Sequence, residues 1–83
     1  MKVPRDLSGA ELITALCRDW EYARVNQVGS QVILQTQSPT SQRIAVPAHS
    51  WLRVGTLNSI LRAVAAHKGV TREDILKTLR KRS

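Results

Sequence analysis

The stretch from Tyr22 to Pro47 constrains the fold more than any other part of the chain. It reads as three short β-type runs, Tyr22 to Val28, Gln31 to Gln37 and Gln42 to Val46, separated by two brief links. Gly29-Ser30 is a two-residue connection with glycine at its first central position, where a type II′ hairpin turn requires positive φ. In Ser38-Pro39-Thr40-Ser41 the proline falls at the i+1 position of a turn. Pro47 ends the third run, because it has no amide to give to a ladder. Runs joined this closely most simply pair as an antiparallel meander, with one face left for helices to cover. The first run alternates poorly, so its pattern does not fix its register.

Helix signals flank the meander. Ser8-Gly9-Ala10-Glu11 is a capping box, in which the Ser8 hydroxyl accepts an N3 amide while Glu11 reaches back. Leu12, Ile13, Leu16 and Trp20 then repeat at helical spacing, with Cys17 on that face or its border. After the third run, Gly55 or Thr56 opens a helix through Leu57, Ile60, Leu61, Val64 and Ala65, which Lys68-Gly69 closes with a cation and a C′ glycine. Thr71-Arg72-Glu73-Asp74 resembles a second capping box, leading Ile75, Leu76 and Leu79 into a basic tail. The order is α-β-β-β-α-α. The expected fold is α+β, a three-stranded antiparallel sheet covered by helices, of the double-stranded-RNA-binding-domain type.

With 83 residues, the chain is expected to form one domain over 1–83. A domain of this size buries only about 60–65 % of the surface its unfolded chain exposes, which excludes a two-domain enzyme with an enclosed cavity. Cys17 is the sole cysteine. It cannot form an internal disulfide or a multi-cysteine zinc site, and it fits a reducing compartment. No apolar run approaches the ~18 residues of a membrane span, and Met1 to Asp6 lack the apolar centre of a signal peptide. A cytoplasmic protein without membrane association is expected.

Charge points to a partner. The chain carries 13 Lys and Arg against 6 Asp and Glu, for a net charge of +7. The acids sit only at Asp6, Glu11, Asp19, Glu21, Glu73 and Asp74; none lies between Tyr22 and Arg72. Arg24, Arg43, Arg53, Arg62 and Lys68 fall in that acid-free middle. Such a field concentrates a phosphate polymer, and arginine, nine of the thirteen cations, suits bidentate contact with phosphate. Charge alone does not separate RNA from DNA.

Little else suggests chemistry. His49 and His67 are the only histidines and have no carboxylate near them in sequence, so neither a metal site nor a cofactor is expected. Cys17 on a buried helix face suits a small apolar role better than a nucleophilic one. His67 falls at a helix C-terminus, where its charge would favour the dipole. Two places stand out. One is the hairpin tip Gly29-Ser30-Gln31, which Arg24 and Arg43 on neighbouring strands are expected to flank. The other is Pro47 to Leu57, where Gly55-Thr56 at a helix start offers amides and a hydroxyl to an anion, His49 suits an RNA contact or acid–base work, and Trp51 suits base stacking. A tryptophan ahead of an apolar helix is more often a core plug, and Trp51 and Trp20 are expected to serve as such. The expected RNA-contacting set is Arg24, Gly29, Ser30, Arg43, His49, Arg53 and Thr56.

The opening Met-Lys-Val-Pro-Arg-Asp-Leu-Ser-Gly-Ala-Glu-Leu, the Gly29-Ser30 turn, and Pro47-Ala48-His49 followed by Leu52-Arg53-Val54-Gly55-Thr56-Leu57-Asn58-Ser59-Ile60-Leu61 together resemble the HicA (YcfA-like) toxin family of type II toxin–antitoxin systems. The similarity runs from Val3 to Leu79, and Gly-Thr-Leu-x-x-Ile-Leu after Pro-Ala-His is its most specific part. The resemblance implies a double-stranded-RNA-binding-domain-like fold and an mRNA interferase, a translation-independent endoribonuclease that arrests growth. It also implies a HicB antitoxin that covers the active site.

One position departs from the family. Its pattern is Gly-Ser-His, with that histidine catalytic, and here Gln31 stands in its place. RNA cleavage needs a proton taken from the 2′-hydroxyl and one given to the leaving 5′-oxygen. Imidazole, with an ordinary pKa of ~6.5, does either near neutrality. A carboxamide only donates and accepts hydrogen bonds, and loss of a general acid or base step costs roughly 10²–10⁴ in rate. Three explanations of Gln31 stand. The chain is a natural degenerate member that binds RNA or antitoxin without cutting, or a copy inactivated so that a toxin can be expressed, or His49 has taken over the proton transfer. The first two rank together and the third last.

Overall fold

The computed structural model describes residues 7–80. The Met1 to Asp6 part of the family resemblance and the end of the basic tail at Lys81 and Arg82 lie outside them. The order is α1 (Gly9–Asp19), β1 (Ala23–Val28), β2 (Gln31–Thr36), β3 (Gln42–Pro47), α2 (Val54–Lys68) and α3 (Arg72–Arg80). This is an α+β fold whose three strands form one open antiparallel sheet in the order β1-β2-β3. Among the described residues, no helix is long and apolar enough to cross a membrane.

Local chemistry sets the helix ends. Both halves of the Ser8 box form: the Glu11 amide donates to Ser8 Oγ at 3.0 Å, and the Ser8 amide to Glu11 Oε1 at 3.0 Å. The Thr71 box forms in the same way, with the Asp74 amide donating to Thr71 Oγ1 at 3.1 Å and the Thr71 amide to Asp74 Oδ2 at 3.0 Å. These bonds satisfy amides that the first helical turn leaves without partners. They also hold the Asp74 carboxyl below its usual range, the backbone bond from Thr71 contributing most. α2 begins at Val54, a residue earlier than expected, and closes at Gly69 in a left-handed conformation.

The hairpin tip is as the sequence requires. Gly29 has φ +60° and Ser30 does not have positive φ, and Val28 pairs with Gln31 across the turn. The second link bends at 38–40 without a closed β-turn. Pro47 ends β3 but still stands opposite Gln31.

β2 is the central strand, and alternation divides its residues cleanly. Val32, Leu34 and Thr36 face the helices and are buried, while Gln31, Ile33 and Gln35 face away. On the helix side, Val32, Leu34 and Val46 join Leu12 and Leu16 of α1, Leu57, Leu61 and Val64 of α2, and Ile75 and Leu76 of α3 in one core. The helices cover β2 and β3 but leave β1 open; all six β1 residues are exposed. The expected cover over the whole sheet therefore stops at its second strand.

Outside the apolar core, one polar knot ties α2 to the sheet. The Tyr22 hydroxyl donates to Gln42 Oε1, and Gln42 Nε2 donates to the Ala63 carbonyl at 3.1 Å. Lys68 Nζ donates to Thr36 Oγ1 at 2.9 Å and to the Ser38 carbonyl at 2.6 Å, and lies 5.0 Å from the Tyr22 ring centre. Burial pushes the Tyr22 phenol up to about 12.

Candidate functional site

The end of β3, the loop after it and the start of α2 fold back against the hairpin tip. Three backbone bonds hold the loop. The Ala48 amide donates to the Ser30 carbonyl at 2.7 Å, the Gly9 amide to the His49 carbonyl at 3.0 Å, and the Leu52 amide to the Leu7 carbonyl at 2.8 Å. The second demands glycine. A Cβ on residue 9 would lie 1.8 Å from the Pro47 carbonyl oxygen, so only a bare backbone lets α1 start this close to the loop.

The fold leaves an open cleft of about 830 Å³ there, bordered by Gln31, Pro47, His49, Trp51, Arg53 and Thr56. Four residues expected at a site from sequence, Gln31, His49, Arg53 and Thr56, thus meet around one concavity although they span β2, a loop and a helix. Ser30 joins them, since its Oγ lies 3.3 Å from His49 Nε2, within hydrogen-bond reach. Gly29 supplies the positive φ that places Ser30 and Gln31 at the tip. The start of α2 adds amide donors. Its N-cap is Arg53, with no side-chain cap and no acid in the first turn, so the first amides of α2 have no side-chain acceptor.

Two expected flanking residues lie elsewhere. Arg24 pairs with Leu34 and shares the helix side of the sheet, opposite to Gln31. The cause is a bulge between Arg24 and Asn26: the extra residue shifts the alternation by one and turns Arg24 to the other face. There it lies near Cys17, whose thiol burial pushes up, an effect that the Arg24 charge partly offsets. Arg43 shares the outward face with Gln31 but stands opposite Gln35, four residues along β2, and its Nη2 donates to Gln35 Oε1 at 2.8 Å.

The two tryptophans part company. Trp20 is half-buried against the core and its Nε1 donates to Thr78 Oγ1 at 3.1 Å, as its helical spacing suggests. Trp51 is not a core plug. It is 64 % exposed, while its neighbour Leu52 is 2 % exposed and fills the core position. Trp51 instead stands on the border of the cleft. His67 Nε2 lies 2.8 Å from the Thr40 carbonyl and links α2 to the second strand connection, away from this site.

The electrostatics favour an anion. No carboxylate lies on β1, β2, β3, the cleft loop or α2, because the sequence has none between Tyr22 and Arg72. Arg53 is exposed, with no ion-pair partner among the described residues. Among the described residues, no three His, Cys, Asp or Glu side chains gather where they could hold a metal ion. The cleft can therefore bind through a guanidinium, a hydroxyl, an imidazole, a carboxamide and an indole. Its one imidazole is that of His49. No protein-family model, no curated protein and no solved structure matches the chain.

Proposed function

We propose that this chain is a HicA-like RNA-binding domain of a toxin–antitoxin pair, an mRNA interferase whose cleavage is slowed by Gln31. The observation that carries the reading is the convergence of Gln31, His49, Arg53 and Thr56 on one carboxylate-free cleft. The resemblance puts the catalytic position at Gln31, and the other three, chosen for their chemistry, come from a loop and helix start 18–25 residues further along the chain. The α-β-β-β-α-α order fits a double-stranded-RNA-binding-domain-like fold, and that reading places the protein in the cytoplasm with a HicB-like antitoxin over the cleft. Gln31 then holds a phosphate or a base edge and transfers no proton. The alternative is a non-catalytic module of the same fold that binds RNA or antitoxin only.

A second reading is favoured by the contact between His49 and Ser30 at the tip. On it, His49 supplies the residual proton transfer, and His49→Ala abolishes whatever cleavage the chain retains.

Salt dependence tests the binding claim. Affinity for an RNA strand is expected to fall linearly on logarithmic axes, with a slope near −0.7 for each phosphate neutralised. Arg53→Gln should make that slope shallower by about 0.7, the share of one phosphate contact. A flat response, or a slope that Arg53→Gln leaves unchanged, would remove the cleft from the RNA interface.

A further inference from the structure

We infer that Trp51 is the platform on which the cleft stacks one unpaired base of an RNA strand, an assignment that rests on the RNA-binding reading above. Most large apolar side chains among the described residues are spent on the core, where Leu12, Leu16, Leu34, Leu57, Leu61 and Ile75 are fully buried, while Val25, Val28 and Val54 are exposed. Trp51 is the largest of the exposed apolar side chains. Trp51 is 64 % exposed although Leu52 beside it is 2 % exposed, so the loop turns leucine inward and indole outward in one step. An exposed indole does little for stability, since burial of its large surface is what makes an aromatic ring stabilising.

Its surroundings say what it meets. Trp51 borders the same cleft as Arg53, His49 and Gln31, where no carboxylate occurs. An aromatic face beside a guanidinium, in a region of one charge sign, suits a base attached to a phosphate backbone. The cleft, at about 830 Å³, falls within the ~300–1,000 Å³ range of sites that enclose a small ligand. Stacking on an indole needs a base whose face is free, and a base inside a helical stack offers none. The platform therefore selects single-stranded RNA and tolerates any base, because every base has a π-face. Gln31, with both a donor and an acceptor, is left to read the edge of the base that Trp51 holds.

The test measures binding of a short labelled RNA strand, alone and annealed to its complement, to the full chain and to Trp51→Ala and Trp51→Phe. Trp51 is outside the core, so both variants should keep the parent's unfolding curve, which is recorded alongside. Expected is a loss of roughly 5- to 150-fold for the single strand in Trp51→Ala, the span that ~1–3 kcal/mol per stacked base converts to. Trp51→Phe should retain most of the affinity, and binding of the duplex should be weaker and indifferent to both changes. If the parent binds the single strand and Trp51→Ala binds it equally well, the stacking assignment falls while the RNA reading survives. The same holds if Trp51→Ala loses only the capture of an antitoxin-like protein, which would make the indole a protein contact. If the parent binds neither RNA in a salt-dependent way, both readings fall together.

Discussion

Replacing Gly9 with alanine should loosen the candidate site although Gly9 itself does not line it. The added Cβ would lie 1.8 Å from the Pro47 carbonyl oxygen, 2.9 Å from its carbon and 3.0 Å from Ala48 Cα. All three are backbone atoms, so no side-chain rotation relieves the clash. Carbon and carbonyl oxygen approach comfortably to about 3.3 Å, so the first turn of α1 and the loop must part by roughly 1.5 Å. That movement breaks the 3.0 Å bond from the Gly9 amide to the His49 carbonyl. Overpacking of this kind costs ~1–3 kcal/mol and the lost hydrogen bond ~1 kcal/mol. The better helix propensity of alanine returns at most ~1 kcal/mol. A net loss of about 1–4 kcal/mol follows, which in a domain of this size lowers Tm by roughly 4–30 °C. Urea and thermal unfolding followed by circular dichroism read it directly. Gly55→Ala is the control, because a Cβ there meets nothing within 4 Å and should leave stability unchanged or raise it. If Gly9→Ala unfolds at the same urea concentration as the parent and as Gly55→Ala, the close approach of α1 to the loop is wrong, and with it the anchoring of His49.

Tyr22 is the only tyrosine, so its phenolate absorbance can be titrated without overlap from another; the midpoint should fall near 12. Because the folded state keeps this proton more tightly than the unfolded chain, its contribution to stability is full below pH ~10. It is lost as pH rises from there towards 12, a loss that Tyr22→Phe should not show, and a midpoint near 10 would mean the phenol is not buried. Asp74 works in the opposite direction. Its lowered pKa stabilises the fold above the ordinary carboxyl range near 3.9 and ceases to do so as pH falls through the lowered value. Asp74→Asn should therefore be less stable than the parent at neutral pH and indistinguishable from it in strong acid; a difference that persists unchanged into acid would contradict the Thr71 cap. Ser8→Ala removes the acceptor for the Glu11 amide and should cost about 1 kcal/mol in urea unfolding, with no change as evidence against the first capping box.

What the sequence made legible depended on how far apart the interacting residues stand. Both capping boxes join residues three positions apart, and the Gly29-Ser30 turn joins neighbours, so their geometry follows from local chemistry. The core face of β2 was legible for a similar reason, since Val32 and Leu34 alternate with polar residues. Arg24 was not, because a bulge one residue further on decides which face it takes, and nothing in Ala-Arg-Val-Asn announces that bulge. Trp51 was misread because the sequence shows an apolar residue before a helix but not which of two neighbours turns inward; Leu52 takes the core position. The need for glycine at position 9 depends on a carbonyl thirty-eight residues away, at Pro47. Of the candidate site, the residue types were readable and the cleft that gathers them was not.

The central claim is that this cleft binds RNA and that the side chain at position 31 limits what happens to the RNA there. It is tested most directly by following the degradation of one RNA by the purified chain and by its Gln31→His variant, side by side. The account predicts slow or undetectable cleavage by the parent and a rate roughly 10²–10⁴ higher when imidazole is restored. Equal rates in the two proteins, with brisk cleavage by the parent that Gln31→Ala does not diminish, would contradict it.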